Sequence, residues 1–249
     1  MGTEALRITA ADGISIAVDS SGDAGAAGRP PIVATHGWAN DRSVWTPLVG
    51  ELVGEPAGGH QVVTWDLRGH GDSDAPPPGA YSRKHVLADL AAVRDHAVGS
   101  GGGSAILMGH SLGGFLCLAH AVDHPDEVAG LVLVATGPGF RKAEAREQWN
   151  ESVRESAVKI GVPPGSEEIS MHHDSYVIDH LAEIQVPVLV LLGEHDKRFA
   201  ASASLFERDL DVRESVVVPD QGHMVHVKAP AECAAAIRHF FADLTRTTT

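Results

Sequence analysis

The sequence predicts an α/β fold: a mostly parallel, doubly wound sheet with an N-terminal antiparallel hairpin and a small helical cap. Short apolar runs recur along the 249 residues, with helical patterns between them. Strands of a parallel sheet are buried on both faces, so they read as unbroken Val, Ile and Leu stretches covered by the intervening helices. The opening residues instead alternate between apolar and polar side chains around Asp12-Gly13, which is typical of a hairpin.

Each predicted element after the hairpin follows from one of these two patterns. Unbroken apolar runs predict six strands, at residues 31–37, 60–66, 104–110, 130–136, 186–193 and 214–220. Helical periodicity predicts five helices, at residues 84–98, 112–122, 143–160, 200–209 and 230–244.

Residues 137–183 interrupt the alternation of strands and helices, because they separate two predicted strands without supplying another. Within them Trp149, Val153 and Ala157 recur every four positions and give one helix an apolar stripe, and Pro163-Pro164 is expected to end that helix. We therefore predict a core domain of residues 1–136 and 184–249, and a cap segment of residues 137–183.

The stretch GHSLGG places Ser111 between two apolar runs, with glycines two positions before and two positions after it. A strand that turns directly into a helix forces the residue at the bend into a strained conformation, and the glycines remove side chains that would crowd it. The serine hydroxyl is then exposed, and it becomes a nucleophile if a base accepts its proton. Ser111 is therefore the candidate nucleophile.

Candidate partners for Ser111 follow two later strands, at the carboxyl edge where open parallel sheets place their chemistry. Glu194-His195-Asp196 follows one strand, and Gln221-Gly222-His223 follows the last. With the order serine, acid, histidine and the strand–serine–helix context, the chain resembles the α/β-hydrolase family over nearly its whole length. The segments THGW at 35–38 and DLRGHGDS at 66–73 resemble two further loops of that family.

The resemblance implies a catalytic triad of Ser111, His223 and Asp196. It also implies an oxyanion hole formed by the main-chain N–H groups of Trp38 and Leu112. Glu194 is the alternative acid, but the family pattern favours the carboxylate three positions after Gly193, which is Asp196.

The other polar residues near these motifs are interpreted as structural. His36 and His110 flank the candidate site and are expected to support it or to line a pocket. Asp66, Arg68 and Gly69 are expected to build their loop, with the charges paired within the turn.

Candidate substrate-binding residues are Phe140, Trp149 and Met171 in the cap segment and Met224 after the histidine. Trp149 could equally anchor its helix. The stretch HHDSYVIDH at 172–180 is rich in metal-ligand types, but its spacing matches no common zinc motif, so we expect no metal and interpret it as a solvated junction. No cofactor is implied.

Composition limits the partners. Nineteen Lys and Arg against 33 Asp and Glu leave a formal charge of −14, which disfavours nucleic acid and anionic membranes. Without a leader-like N-terminus or a long apolar run, the chain is expected to be cytoplasmic. Cys117 and Cys233 lie in apolar helical patterns and are expected to be buried free thiols. The oligomeric state is not predicted.

The resemblance leaves several activities open. A serine at the elbow disfavours the haloalkane dehalogenases and epoxide hydrolases of the family, which use aspartate. Hydrolysis of a small carboxylic ester, lactone or thioester is the first hypothesis, with a small molecule as the partner. C–C-bond hydrolysis ranks second, because those relatives commonly carry Trp where this chain has Met224. A ligand-binding receptor of the same fold is the non-enzymatic alternative.

Overall fold

A computed structural model describes residues 4–23, 29–53 and 60–247 of the chain. Its eight-stranded sheet has the order β1-β2-β4-β3-β5-β6-β7-β8. In chain order the strands are β1 Glu4–Thr9, β2 Ser15–Ser21, β3 Ile32–Thr35, β4 Val62–Trp65, β5 Ala105–His110, β6 Val128–Val134, β7 Val188–Gly193 and β8 Val212–Val218. β2 is antiparallel to both β1 and β4, and every other pairing is parallel.

The described helices number eight. They are α1 Thr46–Val53, α2 Arg83–Val98, α3 Leu112–Asp123, α4 Ala143–Ile160, α5 Tyr176–Asp179, α6 Ala200–Asp209, α7 Val225–Lys228 and α8 Pro230–Thr247. The predicted hairpin, six strands and five helices are confirmed, while the shorter α1, α5 and α7 were not predicted.

Two apolar cores cover the two faces of the sheet, and their side chains alternate along each strand. Val33 and Leu107 point to the core beneath α2 and α3, together with Leu116. Ile32 and Ile106 point to the opposite core, which α1 and α8 close with Leu48 and Ile237. The central strands are thus buried on both sides, which explains their unbroken apolar runs.

The cap segment contains α4, α5 and two 3-10 turns, and no strand of the sheet. Helix α4 ends at Ile160, where Gly161 adopts a left-handed conformation with φ of 77° and donates its N–H to the carbonyl of Ala157. The helix ends at the predicted residue, before Pro163-Pro164, and the glycine at 161 supplies the cap.

Both cysteines are buried free thiols, as predicted. Within the described ranges, no helix combines the length and the apolar composition needed to cross a bilayer.

Candidate active site

Ser111 lies at a sharp turn between β5, which ends at His110, and α3, which begins at Leu112. Its φ of 52° and ψ of −115° are a strained combination for a residue with a side chain. The turn is held by hydrogen bonds, because Ser111 donates its N–H to the Val134 carbonyl at 3.0 Å and its own carbonyl accepts from the Thr136 hydroxyl at 2.5 Å.

The glycines around Ser111 are required by close packing. A Cβ on Gly109 would overlap the main chain of Gly113, and a Cβ on Gly113 would overlap the carbonyl of Thr35 at the end of β3. A Cβ on Gly114 would collide with the Thr136 side chain. The glycine pattern therefore lets α3 start directly against the neighbouring strands.

His223 and Asp196 are joined across the loops that follow β8 and β7. His223 Nδ1 lies 2.7 Å from Asp196 Oδ2, and Asp196 is almost fully buried. The two loops can approach because a Cβ on Gly193 would contact the main chain of Gln221 and Gly222 at 2.6 Å or less. With a proton on Nδ1 donated to the carboxylate, the Nε2 of His223 is left as a base.

Glu194, the alternative acid, lies elsewhere. Its side chain is exposed, and its Oε2 accepts the main-chain N–H of Asp220 at 3.0 Å. Glu194 therefore serves the turn after β8, and Asp196 is the carboxylate that contacts the imidazole.

His110 connects the serine turn to the histidine loop. Its Nε2 donates to the main-chain carbonyl of His223 at 3.0 Å, and the two rings lie 4.6 Å apart. Gly37 packs against both the His110 ring and the Ser111 Cβ, so all three loops meet here. The described residues contain no hydrogen bond between the Ser111 hydroxyl and His223, a contact that often tightens only when substrate binds.

The imidazole of His110 is neutral. Burial, the first cause, and the neighbouring His226 and His223 hold the pKa of His110 well below its usual 6.5. His36 is also buried, and burial lowers its pKa to about 3. Its Nε2 accepts the Leu67 N–H at 3.0 Å while its Nδ1 donates to the Gly37 carbonyl, so His36 fixes the THGW turn.

Two residues whose main-chain amides are predicted to form an oxyanion hole line the cavity beside Ser111. Trp38 and Leu112 both line it, and neither amide donates a main-chain hydrogen bond among the described residues. Leu112 is the first residue of α3, where the N–H groups have no partner within the helix and the helix dipole favours negative charge. This pair therefore stays the predicted oxyanion hole.

The cavity above Ser111 has a volume of about 410 Å³. It is lined by Phe140 and Trp149 of the cap segment, two of the residues that the sequence suggested for substrate binding. Trp149 is also an anchor, because its Nε1 donates to the Ser170 carbonyl at 2.8 Å. Trp149 therefore both lines the cavity and anchors its helix.

The two methionines suggested for substrate binding lie outside this cavity. Met171 lines a separate surface cavity of about 500 Å³ beside α2, together with Arg83 and Asp174. Met224 precedes α7, and its carbonyl accepts from Val227 and Lys228.

Several lining residues were not identified from the sequence: Phe115, Thr136, Ser152, Ser156, Ser170, His172, Arg198, Phe199 and Ser202. Arg198 and Phe199 lie two and three residues after Asp196, so proximity to the predicted acid was an available signal. Phe199 stacks on the His223 ring, with centroids 5.4 Å apart and planes at 19°.

The interpretation of residues 172–180 as a solvated junction was wrong for His172. This side chain is buried, it contacts Phe115, Phe140 and Trp149 edge to face or tilted, and burial lowers its pKa to about 4. Two other ligand-type residues of this stretch form separate ion pairs, Asp174 with Arg83 and Asp179 with Arg141. Elsewhere Glu194, His195 and Asp220 form a small exposed group within the described residues.

Arg68 has a structural role, but its pairing is wider than predicted. It forms two 2.6 Å hydrogen bonds with the buried Asp89 on α2 and one of 2.9 Å with Asp12 in the hairpin. Asp66 accepts the Arg42 and Asp72 amides. Arg68 therefore connects the loop to the hairpin and to α2, while Asp66 pairs with Arg42 outside the loop and also accepts the Asp72 N–H within it.

Comparison with known proteins identifies the family. The profile of the alpha/beta hydrolase fold matches residues 30–160, which is more than half of the chain. The chain belongs to the α/β hydrolase fold family. It is an enzyme of the α/β-hydrolase type.

Three relatives illustrate the range of the family around this chain. A 2-succinyl-6-hydroxy-2,4-cyclohexadiene-1-carboxylate synthase of Enterobacter sp. is 26% identical over 86% of this chain and 92% of its own length. A pimeloyl-[acyl-carrier protein] methyl ester esterase of Aromatoleum aromaticum is 36% identical over 52% of this chain and 47% of its own. The structure of a thermophilic esterase from Thermogutta terrifontis with malate bound matches with a TM-score of 0.76 and 26% identity, covering 97% of this chain and 99% of that one.

Proposed function

We propose that this α/β hydrolase cleaves a small carboxylic ester, lactone or thioester through a triad of Ser111, His223 and Asp196. The observation that carries the proposal is the 2.7 Å contact between His223 Nδ1 and Asp196 Oδ2, next to a serine in a strained turn at the base of a cavity. The esterase from Thermogutta terrifontis, similar over almost the whole chain, supports this reaction class.

In the first half of the reaction, the Ser111 Oγ attacks the carbonyl carbon of the substrate while His223 Nε2 accepts its proton. The carbonyl oxygen becomes negative and accepts hydrogen bonds from the Leu112 and Trp38 amides. Asp196 stabilises the imidazolium that forms and holds the tautomer. The C–O or C–S bond then breaks, and His223 returns the proton to the leaving oxygen or sulfur.

In the second half, water attacks the acyl group on Ser111 and loses a proton to His223. The same two amides bind the second tetrahedral oxyanion. Collapse releases the carboxylic acid and restores the serine hydroxyl with the proton from His223. Substrate, water and these side chains supply every proton and electron pair that the two half-reactions need.

The cap segment supplies the selectivity in this proposal. The volume of about 410 Å³ suits a short acyl chain or a compact ring. Phe140 and Trp149 provide apolar contact, while the strand ends below carry the reacting groups.

The test is turnover of 4-nitrophenyl butyrate by the wild type and Ser111→Ala. We expect the variant to lose at least about 10³-fold in kcat while its thermal unfolding is unchanged. A fluorophosphonate should add one label to the wild type, at Ser111, and none to the variant. A variant that kept a tenth of the wild-type rate would contradict the proposal.

A synthase reaction is the second candidate, because the Enterobacter relative aligns over 86% of this chain. It would be favoured if the fluorophosphonate labelled Ser111 while no simple ester, lactone or thioester was turned over. The absence of both label and turnover would favour the receptor alternative.

A further inference from the structure

Arg198 is a cation in the wall of the cavity above Ser111. It lies two residues after Asp196, in the turn that leads into α6, and it lines the cavity together with Phe140 and Trp149. Its guanidinium carbon is 5.6 Å from the centroid of the Trp149 ring. A guanidinium at this distance from an indole face is held in place by cation–π attraction.

This guanidinium has no carboxylate partner among the described residues, in contrast to three other arginines in or near the cap segment. Arg83 pairs with Asp174, Arg141 with Asp179 and Arg154 with Glu147. No Asp or Glu is among the described residues that line the cavity. Arg198 is an exposed residue of the cavity lining, and among the described residues that line the cavity no carboxylate compensates its positive charge.

Arg198 is also the cavity's single cationic side chain at neutral pH, as far as the described residues go. His172 is the other titratable residue in the lining, and burial lowers its pKa to about 4, so it is neutral. The remaining lining residues are apolar or carry hydroxyl groups.

The negative charge of the whole molecule bears on which ligands this isolated cation can bind. The formal net charge of −14 repels anions at long range, so an acidic ligand needs a local cation to bind. An arginine fork accommodates a carboxylate through two parallel hydrogen bonds, and stacking on an aromatic ring leaves the edge of the fork free.

We infer that Arg198 binds a free carboxylate on the substrate, so that the preferred substrates are esters, thioesters or lactones that carry a second, acidic group. The inference rests on the proposed function, since it concerns the part of the substrate that does not react. Arg198 is a specificity-determining residue in this account and takes no part in bond breaking.

The first measurement compares kcat/KM for matched esters with and without the charge. Mono-4-nitrophenyl adipate and 4-nitrophenyl hexanoate carry the charge difference on the acyl side. 4-Acetoxybenzoate and its methyl ester carry it on the alcohol side. We expect Arg198→Gln to lower the ratio of anionic to neutral kcat/KM by at least about 10-fold in one pair, which corresponds to about 1.4 kcal/mol.

Two variants separate a direct contact from a general charge effect. Arg198→Lys keeps the charge but loses the planar fork, so we expect an intermediate ratio. Lys197→Gln removes the neighbouring exposed charge, which does not line the cavity, and we expect the wild-type ratio. An equal fall in Lys197→Gln would assign the effect to the long-range field and overturn the inference.

Binding of adipate dianion, measured by calorimetry, tests the site without any turnover. We expect its Kd to rise at least about 10-fold in Arg198→Gln and to stay unchanged in Lys197→Gln. If the wild type hydrolysed none of the esters but adipate binding depended on Arg198, the proposed function would fail and this inference would stand. Unchanged ester ratios in both pairs, or Arg198-independent adipate binding, would show that Arg198 only covers Trp149.

Discussion

The floor and the roof of the cavity are built differently. The floor consists of strand ends, where Ser111 is held by the main chain of β5, β6 and α3 and by glycines that admit no side chain. The roof is the cap segment with Arg198, held mainly by contacts between side chains and carbonyls, such as Trp149 with Ser170 and Asn150 with His172. Backbone geometry thus positions the candidate chemistry, and side-chain packing shapes the space for substrate.

This difference predicts that changes in the floor abolish activity or folding, while changes in the roof redirect selectivity. Four experiments test that division, beginning with the largest expected effect.

Replacing His223 or Asp196, which contact each other, should remove most of the activity. We expect His223→Ala to lower kcat by at least about 10³-fold, and Asp196→Asn by about 10²-fold to 10⁴-fold, because the asparagine favours the wrong imidazole tautomer. The measurement is steady-state hydrolysis of 4-nitrophenyl butyrate. Glu194→Gln is the matched control and should stay within about threefold, since its amide oxygen can still accept from Asp220. The reverse pattern would exchange the roles of the two carboxylates.

Adding one methyl group at the serine turn should cost more stability than adding it elsewhere. In Gly113→Ala the new Cβ overlaps the Thr35 carbonyl, which is main chain and cannot rotate away. We expect the free energy of unfolding, from urea denaturation, to fall by at least about 2 kcal/mol. Gly101→Ala adds its Cβ where no atom lies within 4 Å and should change stability by less than about 0.5 kcal/mol. Equal effects in the two variants would show that the floor tolerates repacking.

A buried histidine behind the floor should make the protein sensitive to acid. Among the described residues His226 has no hydrogen-bond partner on either ring nitrogen, and its ring faces His110 and Trp45. Burial lowers its pKa from 6.5 to about 3. The coulombic effect of His223 acts in the same direction on this pKa. Because the unfolded chain binds the proton more tightly, stability is retained above about pH 6.5 and lost as the pH falls toward the folded pKa.

The His226→Phe variant should therefore depend less on pH. Between pH 6 and 5 we expect the free energy of unfolding of the variant to fall less steeply than that of the wild type. The two slopes should differ by about 1.4 kcal/mol per pH unit, the contribution of one proton. Urea denaturation at each pH measures this slope. His96→Gln, which changes an exposed histidine on α2, should leave the slope unaltered. Parallel curves for the wild type and His226→Phe would contradict the assignment.

The smallest expected effect concerns the roof. Trp149→Ala should change the ratio of kcat/KM between a short and a bulky ester by about 10-fold, because the indole borders the space above Ser111. Trp149→Phe keeps an aromatic ring but loses the hydrogen bond to Ser170. We therefore expect it to lower the melting temperature and to leave the ratio of kcat/KM close to that of the wild type. Val158→Ala, at an exposed position of the same helix, is the control. An unchanged ratio in Trp149→Ala would limit this residue to anchoring.

The sequence alone predicted the elements that depend on local pattern. The apolar runs of β3 to β7 could be recognised because central parallel strands are buried on both faces, whereas the edge strand β8 is only half-buried. The serine turn was visible because Gly109 and Gly113 must be glycine where the main chains touch. Asp196 and His223 could be proposed because parallel strands bring their carboxyl ends to one edge.

Tertiary structure alone decided which side chains surround the cavity. The buried face of α4, the return through His172 and the turn carrying Arg198 come from distant parts of the chain, and no short-range spacing relates them. Met171 follows the carbonyl that binds Trp149 yet lies in another cavity, whereas Arg198, in an ordinary loop sequence, stacks on that ring. Strand burial and glycine contacts act through the local backbone and therefore leave a pattern in the sequence. The roof depends on long-range packing between side chains, which the order of residues does not display.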